Sequence, residues 1–256
     1  MDYLNYGNKV QQKPQGFGNQ AQLTKDDFSF GDLSQQITKP QVAPPPPTQD
    51  QLLQLFPTPV LISSYPFDYS NELKWIKNQS CEREGKSPNI NLLNRQSKDT
   101  FILDNPEMSR VKQFIDSKLK EFVINVMGSD SELVITQSWV NRNGKGESHH
   151  DHKHPNSMIS GVWYPQIHEE LPPIQFKIGN QRDVELTITK YNNFNSATFL
   201  IPMKAGELII FPSNLSHCVP ANQSDEERIS LSFNTWCKGN MGSERSLTYL
   251  PFDRLM

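Results

Sequence analysis

Four of the six histidines in this chain fall within six residues: His149, His150, His152 and His154, in the stretch GESHHDHKHPNS. Imidazole is a borderline ligand that suits iron, zinc, copper and nickel. On a strand, residues i and i+2 point to the same side, so His152 and His154 can converge on one ion. The distant partner is His217, in GELIIFPSNLSHCVP. Two close ligands and one remote one describe a facial three-ligand site that keeps open positions. A second register competes three residues upstream, where His149-x-Asp151 offers an imidazole and a carboxylate. Asp151 could also serve as the partner that orients an imidazole. A His-rich tract alone is only a compositional metal signal and equally describes a solvated loop.

The segment RISLSFNTW carries the second chemical signal. Strand alternation puts Ile229, Leu231 and Phe233 on one face and Arg228, Ser230, Ser232 and Asn234 on the other. With the apolar face packed on a sheet or helix, Arg228 faces the interior and needs an anion, because an unpaired buried charge is very costly. A guanidinium holds a carboxylate in a two-pronged geometry, and Ser230 could donate to the same group. The structural alternative is a salt bridge from Arg228 to Glu207 or Asp225.

The order of these pieces is specific: His-x-His, about sixty residues, His217, ten residues, then Arg228-x-Ser230. In this it resembles the Fe(II)- and 2-oxoglutarate-dependent oxygenases, and more narrowly a family of such oxygenases found in bacteria and tailed phages. The matching residues are Ser138-Trp139-Val140-Asn141, Gly146, His149, His152, His154-Pro155-Asn156-Ser157, Ser160 to Tyr164, Gly206 to His217 and Glu227 to Asn234. The resemblance covers about 52–238 and implies a double-stranded β-helix, a cupin-like jelly roll. It implies that His152 and His217 hold Fe(II), that Arg228 and Ser230 clamp the distal carboxylate of 2-oxoglutarate, and that Tyr164 donates to it. Asn141 would line the pocket, with Trp139 and Trp163 as core or pocket wall. Gly146, six residues before His152, has a spacing common in related hydroxylases and favours the His152/His154 register over His149/Asp151. His154 stands where most of the superfamily has Asp or Glu, which leaves the site more positive. The implied reaction is hydroxylation of a protein side chain or a small metabolite. Two other readings stay open: a zinc or nickel isomerase or dioxygenase that does not use 2-oxoglutarate, and an assembly or virion-associated protein with a jelly-roll core.

The elements that would position these residues are mainly β. LVITQSWV (133–140), MISGVWYP (158–165), IQFKI (174–178), VELTIT (184–189), ATFLI (197–201), ELIIF (207–211) and RISLSFNTW (228–236) read as strands between turn residues. Two helices precede them. One spans 68–79, with Tyr69, Leu73 and Ile76 on one face. The other is capped by Asn105, has Pro106 at its first position and Gly128 past its end. Its apolar residues from Met108 to Val126 follow helical spacing. Helices followed by many strands imply a β-sandwich or barrel with helices packed on one face. LFPTPVLISSYP reads as an extended first strand, 81–100 as loop, and SLTYL as an edge strand within a C-terminal extension over 239–256.

Residues 1–50 are rich in Gln, Asn, Gly and Pro and end in four prolines. They read as an arm or disordered leader ahead of a domain over 51–238, with Phe17, Phe28, Phe30 and Leu33 as anchors for an assembly partner. A net charge of −3 and a pI near 6.1, without a basic run, argue against nucleic acid as partner. The longest apolar runs are too short to span a bilayer, and the N-terminus lacks a signal-peptide layout. Three scattered cysteines point to a reducing interior, hence a cytoplasmic protein, virion-associated if phage-encoded.

Overall fold

The computed structural model describes residues 50, 53, 55–83, 93–178 and 186–255. The anchors expected in the N-terminal arm lie outside them. Eleven strands and three helices are present among the described residues. Strands β1 (Leu61–Ser64), β2 (Cys81–Glu82), β3 (Arg95–Ser97) and β4 (Leu133–Asn143) precede the histidine stretch, which forms β5 (His149–His152). Then follow β6 (Ile159–Gln166), β7 (Ile174–Lys177), β8 (Thr198–Ile201), β9 (Glu207–Pro212), β10 (Ser216–Val219) and β11 (Arg228–Cys237). A seven-stranded antiparallel sheet runs β1-β9-β6-β11-β4-β3-β2, and a four-stranded one runs β5-β10-β7-β8. The chain is a double-stranded β-helix with helices packed on it.

Period-two alternation divides the apolar residues of the large sheet between two cores. Trp163, Leu208, Ile210, Ile229, Leu231, Phe233 and Val140 join one cluster with helix residues Val111, Ile115, Leu119 and Phe122. Their chain neighbours Val162, Tyr164, Ile209 and Phe211 join a second cluster with Ile174 and Phe176 of the small sheet. The β6 strand is buried on both faces, as a central strand between two layers must be. Gly161 lies where β6 meets its neighbours. A Cβ there would sit 2.3 Å from the Phe233 ring and 2.9 Å from the Ile209 carbonyl oxygen.

Helix α1 (Ser70–Lys77) buries Ile76 and Glu72, and helix α2 (Ser109–Phe122) buries Val111, Ile115, Leu119 and Phe122. Asn105 does not cap α2. Its amide donates to Asp99 instead, and a short 3-10 turn from Pro106 to Met108 leads into the helix. Gly128 ends the segment with φ 64°, the left-handed conformation that a residue without Cβ adopts freely. Before it, Val123–Met127 widens into a π-turn. The extra residue per turn rotates the apolar stripe, so Val126, expected on the buried face, is 47% exposed. The short C-terminal helix α3 spans Phe252–Leu255.

Other expectations need correction. Residues 186–189 form no strand, and Val184 and Glu185 lie outside the described residues. The stretch 81–100 is not all loop, because β2 and β3 extend the large sheet beside β4. SLTYL contributes only an isolated bridge from Leu250 to Met241. The three cysteines are free, and no described helix is long and apolar enough to cross a membrane.

Candidate active site

Antiparallel pairing of β5 with β10 places His152 directly opposite His217. Cross-strand neighbours in such a pair have Cβ atoms about 4.5–5.5 Å apart, so two imidazoles distant in sequence meet without any special loop. Their ring centres are 4.4 Å apart. His154 follows the end of β5 rather than lying on it, so strand alternation does not explain its direction. A turn does: His154 donates its backbone N–H to the Ser213 carbonyl at 3.0 Å, and Ser213 N–H donates to Met158 O at 3.1 Å. Asn156, with φ 54°, makes the reversal between them. The ligand nitrogens of His152, His154 and His217 all lie within 4.8 Å of one another, and Nε2 of His154 is 3.3 Å from Nε2 of His217.

The tautomers are oriented by the backbone. Nδ1–H of His152 donates to the His150 carbonyl at 2.8 Å, and Nδ1–H of His217 donates to the Leu215 carbonyl at 2.9 Å. Each bond leaves the Nε2 lone pair aimed at the group, the arrangement that metal-binding imidazoles require. Phe211 packs edge-on against His217 at 4.9 Å. Burial, more than charge, lowers His154 to about 3 and His217 to about 4, and it also lowers His152. Neutral imidazoles are metal ligands, whereas protonated ones are not. A linkage effect follows. These folded-state values lie below the ordinary 6.5, so the unfolded chain binds protons that the folded site refuses. The metal-free protein is therefore expected to lose stability as pH falls from 6.5 toward 4, and to keep it above 6.5. Thermal unfolding in chelator across that window checks this, and His154→Ala should flatten the profile.

The competing register is arranged differently. A register shift in the β5–β10 pairing sets the four residues His149 to His152 of β5 against the three residues His217 to Val219 of β10. This turns His149 to the same side as His152, with the two rings stacked at 4.4 Å. His149 is held well below its ordinary value by burial first, then by the charges of His152, His150, His217 and Arg228. Asp151 points the other way, at the exposed surface. Its carboxylate accepts from Ser216 Oγ at 2.5 Å and from Lys177 Nζ at 2.9 Å. Neither His149 nor Asp151 belongs to the three-histidine group.

Pairing of β11 with β4 builds the other half of the site, with Arg228 opposite Asn143, Ser230 opposite Asn141, and Ser232 opposite Trp139. Arg228 is 2% exposed. Its Nη1 donates to Ser230 Oγ at 3.2 Å and to Asn143 Oδ1 at 3.4 Å, and the guanidinium lies 5.0 Å from the centre of the Tyr164 ring. Burial lowers its pKa, but a guanidinium stays charged in proteins. Among the described residues it has no carboxylate partner. Glu207 accepts from the Lys204 backbone and Asp225 pairs with Lys145, so neither supplies the alternative salt bridge. Glu227, next in the chain, is on the opposite strand face and is engaged by Arg95 at 2.6 Å and Arg142 at 2.5 Å. Glu147, which pairs with Arg83 and Arg95, ties the turn before β5 into the same network.

Four buried polar atoms on this side have no hydrogen-bond partner among the described residues: Arg228 Nε, Asn143 Nδ2, Tyr164 OH and Trp139 Nε1. An unmade bond at a buried donor costs about 1–3 kcal/mol, more at a charged one, so Arg228 Nε, Asn143 Nδ2 and Tyr164 OH leave room for an acceptor beside the guanidinium, with Trp139 Nε1 apart from them. Burial raises the Tyr164 pKa against the lowering effect of Arg228, which keeps the phenol a donor. Asn141 is less available. Its Oδ1 accepts from Asn94 at 2.9 Å and Gln96 at 3.3 Å, and its Nδ2 donates to Ser232 at 2.9 Å. Sequence reasoning missed Asn143, two residues further along the same strand face. Counting the antiparallel register back from Arg228 would have found it.

Residues 137–234 match the family described as "Putative 2OG-Fe(II) oxygenase". No curated protein matches the chain. Among solved structures, the chain is similar to SnoN, a non-heme α-ketoglutarate-dependent epimerase from nogalamycin biosynthesis. The TM-score is 0.51 at 14% identity, covering 70% of this chain and 78% of that one. It is similar also to HygX from Streptomyces hygroscopicus, a structure with nickel and 2-oxoglutarate bound. There the TM-score is 0.50 at 12% identity, covering 70% and 82%. At such identities the likeness shows the fold. The family match spans residues 137–234, and these lie within the fold that the chain shares with those structures.

Proposed function

We propose that this protein is a dioxygenase dependent on Fe(II) and 2-oxoglutarate, which hydroxylates a C–H bond of a protein side chain or small metabolite. The single observation that carries this reading is the buried, unpaired guanidinium of Arg228 in the fold that also gathers three imidazoles. A three-histidine group by itself would equally suit zinc or nickel in an enzyme without 2-oxoglutarate. A buried cation without an anion is a cost of several kcal/mol, and a dicarboxylate removes it.

His152, His154 and His217 would hold the metal through Nε2, with the tautomers of His152 and His217 fixed by the His150 and Leu215 carbonyls. Arg228 and Ser230 would grip the distal carboxylate, Tyr164 would donate to it from below the guanidinium, and Asn143 would orient Arg228 while offering its free amide. Asn141 would line the pocket by bracing Ser232. When bound, the metal and co-substrate supply the oxidising chemistry, with 2-oxoglutarate decarboxylated to succinate. The chain's own part is to position both, to exclude water through the apolar wall of Tyr164, Phe176 and Phe211, and to keep the three imidazoles neutral. With only neutral protein ligands, the charge on the ion is offset by the co-substrate rather than by the protein.

The test is release of succinate when Fe(II), 2-oxoglutarate and oxygen are supplied together. Slow substrate-independent turnover is expected. If the metal-loaded protein gains no thermal stability from 2-oxoglutarate, the reading fails, because a ligand specific for the folded state must raise it.

A further inference from the structure

Seven buried side-chain polar atoms among the described residues lack a partner, four of them on this side of the fold, and three of those four gather around one end of the site. Arg228 Nε, Asn143 Nδ2 and Tyr164 OH lie with the guanidinium and are accounted for by a distal carboxylate. Trp139 Nε1 is not. On β4 it is four residues from Asn143 on the same strand face, about 13 Å away at the usual strand rise. Its ring centre is instead 5.8 Å from that of His154. The fully buried indole of Trp163, by contrast, donates to the Gly206 carbonyl at 3.2 Å. An indole is a donor only and can be satisfied only by an acceptor. The Trp139 ring lies beside the His154 imidazole, away from the guanidinium.

We propose that Trp139 donates its indole N–H to the metal-chelating carboxylate of the bound 2-oxo acid, so that the co-substrate is held by the protein at both ends. The inference rests on the oxygenase reading. Three imidazoles bring no negative charge to the ion, so the anionic oxygen nearest His154 comes from the ligand. An N–H facing a charged oxygen makes the stronger, charge-assisted class of bond. Trp139 is then a positioning residue that fixes which way the chelating carboxylate turns.

The test uses the full chain, labelled with nitrogen-15 at its indoles and loaded with Zn(II) as a diamagnetic ion. On adding 2-oxoglutarate, the Trp139 N–H resonance should move downfield while that of Trp163 stays. Trp139→Phe, which keeps a ring and removes the donor, should bind 2-oxoglutarate about tenfold more weakly with Zn(II) affinity unchanged. Without Zn(II), where nothing fixes the chelating end, that difference should vanish. Should the variant fail to fold, the wild-type titration reads the same contact, its signal assigned through proximity to His154. An unmoved Trp139 resonance, or wild-type affinity in the variant, with 2-oxoglutarate nonetheless bound, overturns the proposal and leaves the oxygenase reading standing. No binding of 2-oxoglutarate to the metal-loaded wild type removes both.

Discussion

Replacing Arg228 with methionine should weaken 2-oxoglutarate binding by about 2–5 kcal/mol, roughly 30-fold or more, with metal affinity retained. Methionine keeps most of the buried stem and removes the charge, so packing on Tyr164 is largely preserved. The accompanying stability change separates this from a structural role. A guanidinium in a native ion pair stabilises the fold, and its removal strands a buried carboxylate at a cost of about 3–5 kcal/mol. Arg228 has no such carboxylate among the described residues, and its charge is lowered in pKa by burial. The ligand-free variant should therefore melt at or above the wild-type temperature while losing its response to 2-oxoglutarate. Calorimetric titration of the metal-loaded protein and thermal unfolding without ligand measure the two halves. Unchanged co-substrate affinity would remove the clamp.

The second large effect is expected at His217. His217→Ala should lower metal affinity by more than about 100-fold, since disturbing even a residue that only orients a ligand costs about 10–100-fold. His154→Ala should behave similarly. His149→Ala should do less, because His149 stacks on His152 but lies outside the three-nitrogen group. Asp151→Ala should do least, since that carboxylate is engaged by Lys177 and Ser216. Metal content after gel filtration reads all four. Stoichiometric metal in His217→Ala would take it out of the ligand set, and a larger loss in His149→Ala than in His154→Ala would favour the upstream register.

Much of this arrangement is written in the order of residues. Alternation in RISLSFNTW alone turns Arg228 and Ser230 away from Ile229, Leu231 and Phe233, and the folded strand has that division. Helix α2 shows itself by its apolar spacing, Pro106 and Gly128, all local signals. Strand β10 and the short pair β2 and β3 were not legible, because each is held by its neighbours rather than by its own periodicity.

What the sequence determined by itself is the inventory: clustered imidazoles, one remote histidine, and an arginine two residues before a serine on an otherwise apolar strand. Tertiary structure alone decided which of them meet. The His152–His217 contact depends on the β5–β10 register, the aim of His154 on a turn held by Ser213, and the company of Arg228 on Asn143 across the sheet. Alternation along one strand fixes only which side a residue faces. Register between strands fixes what it faces, and that is a property of pairs of segments which no single segment contains.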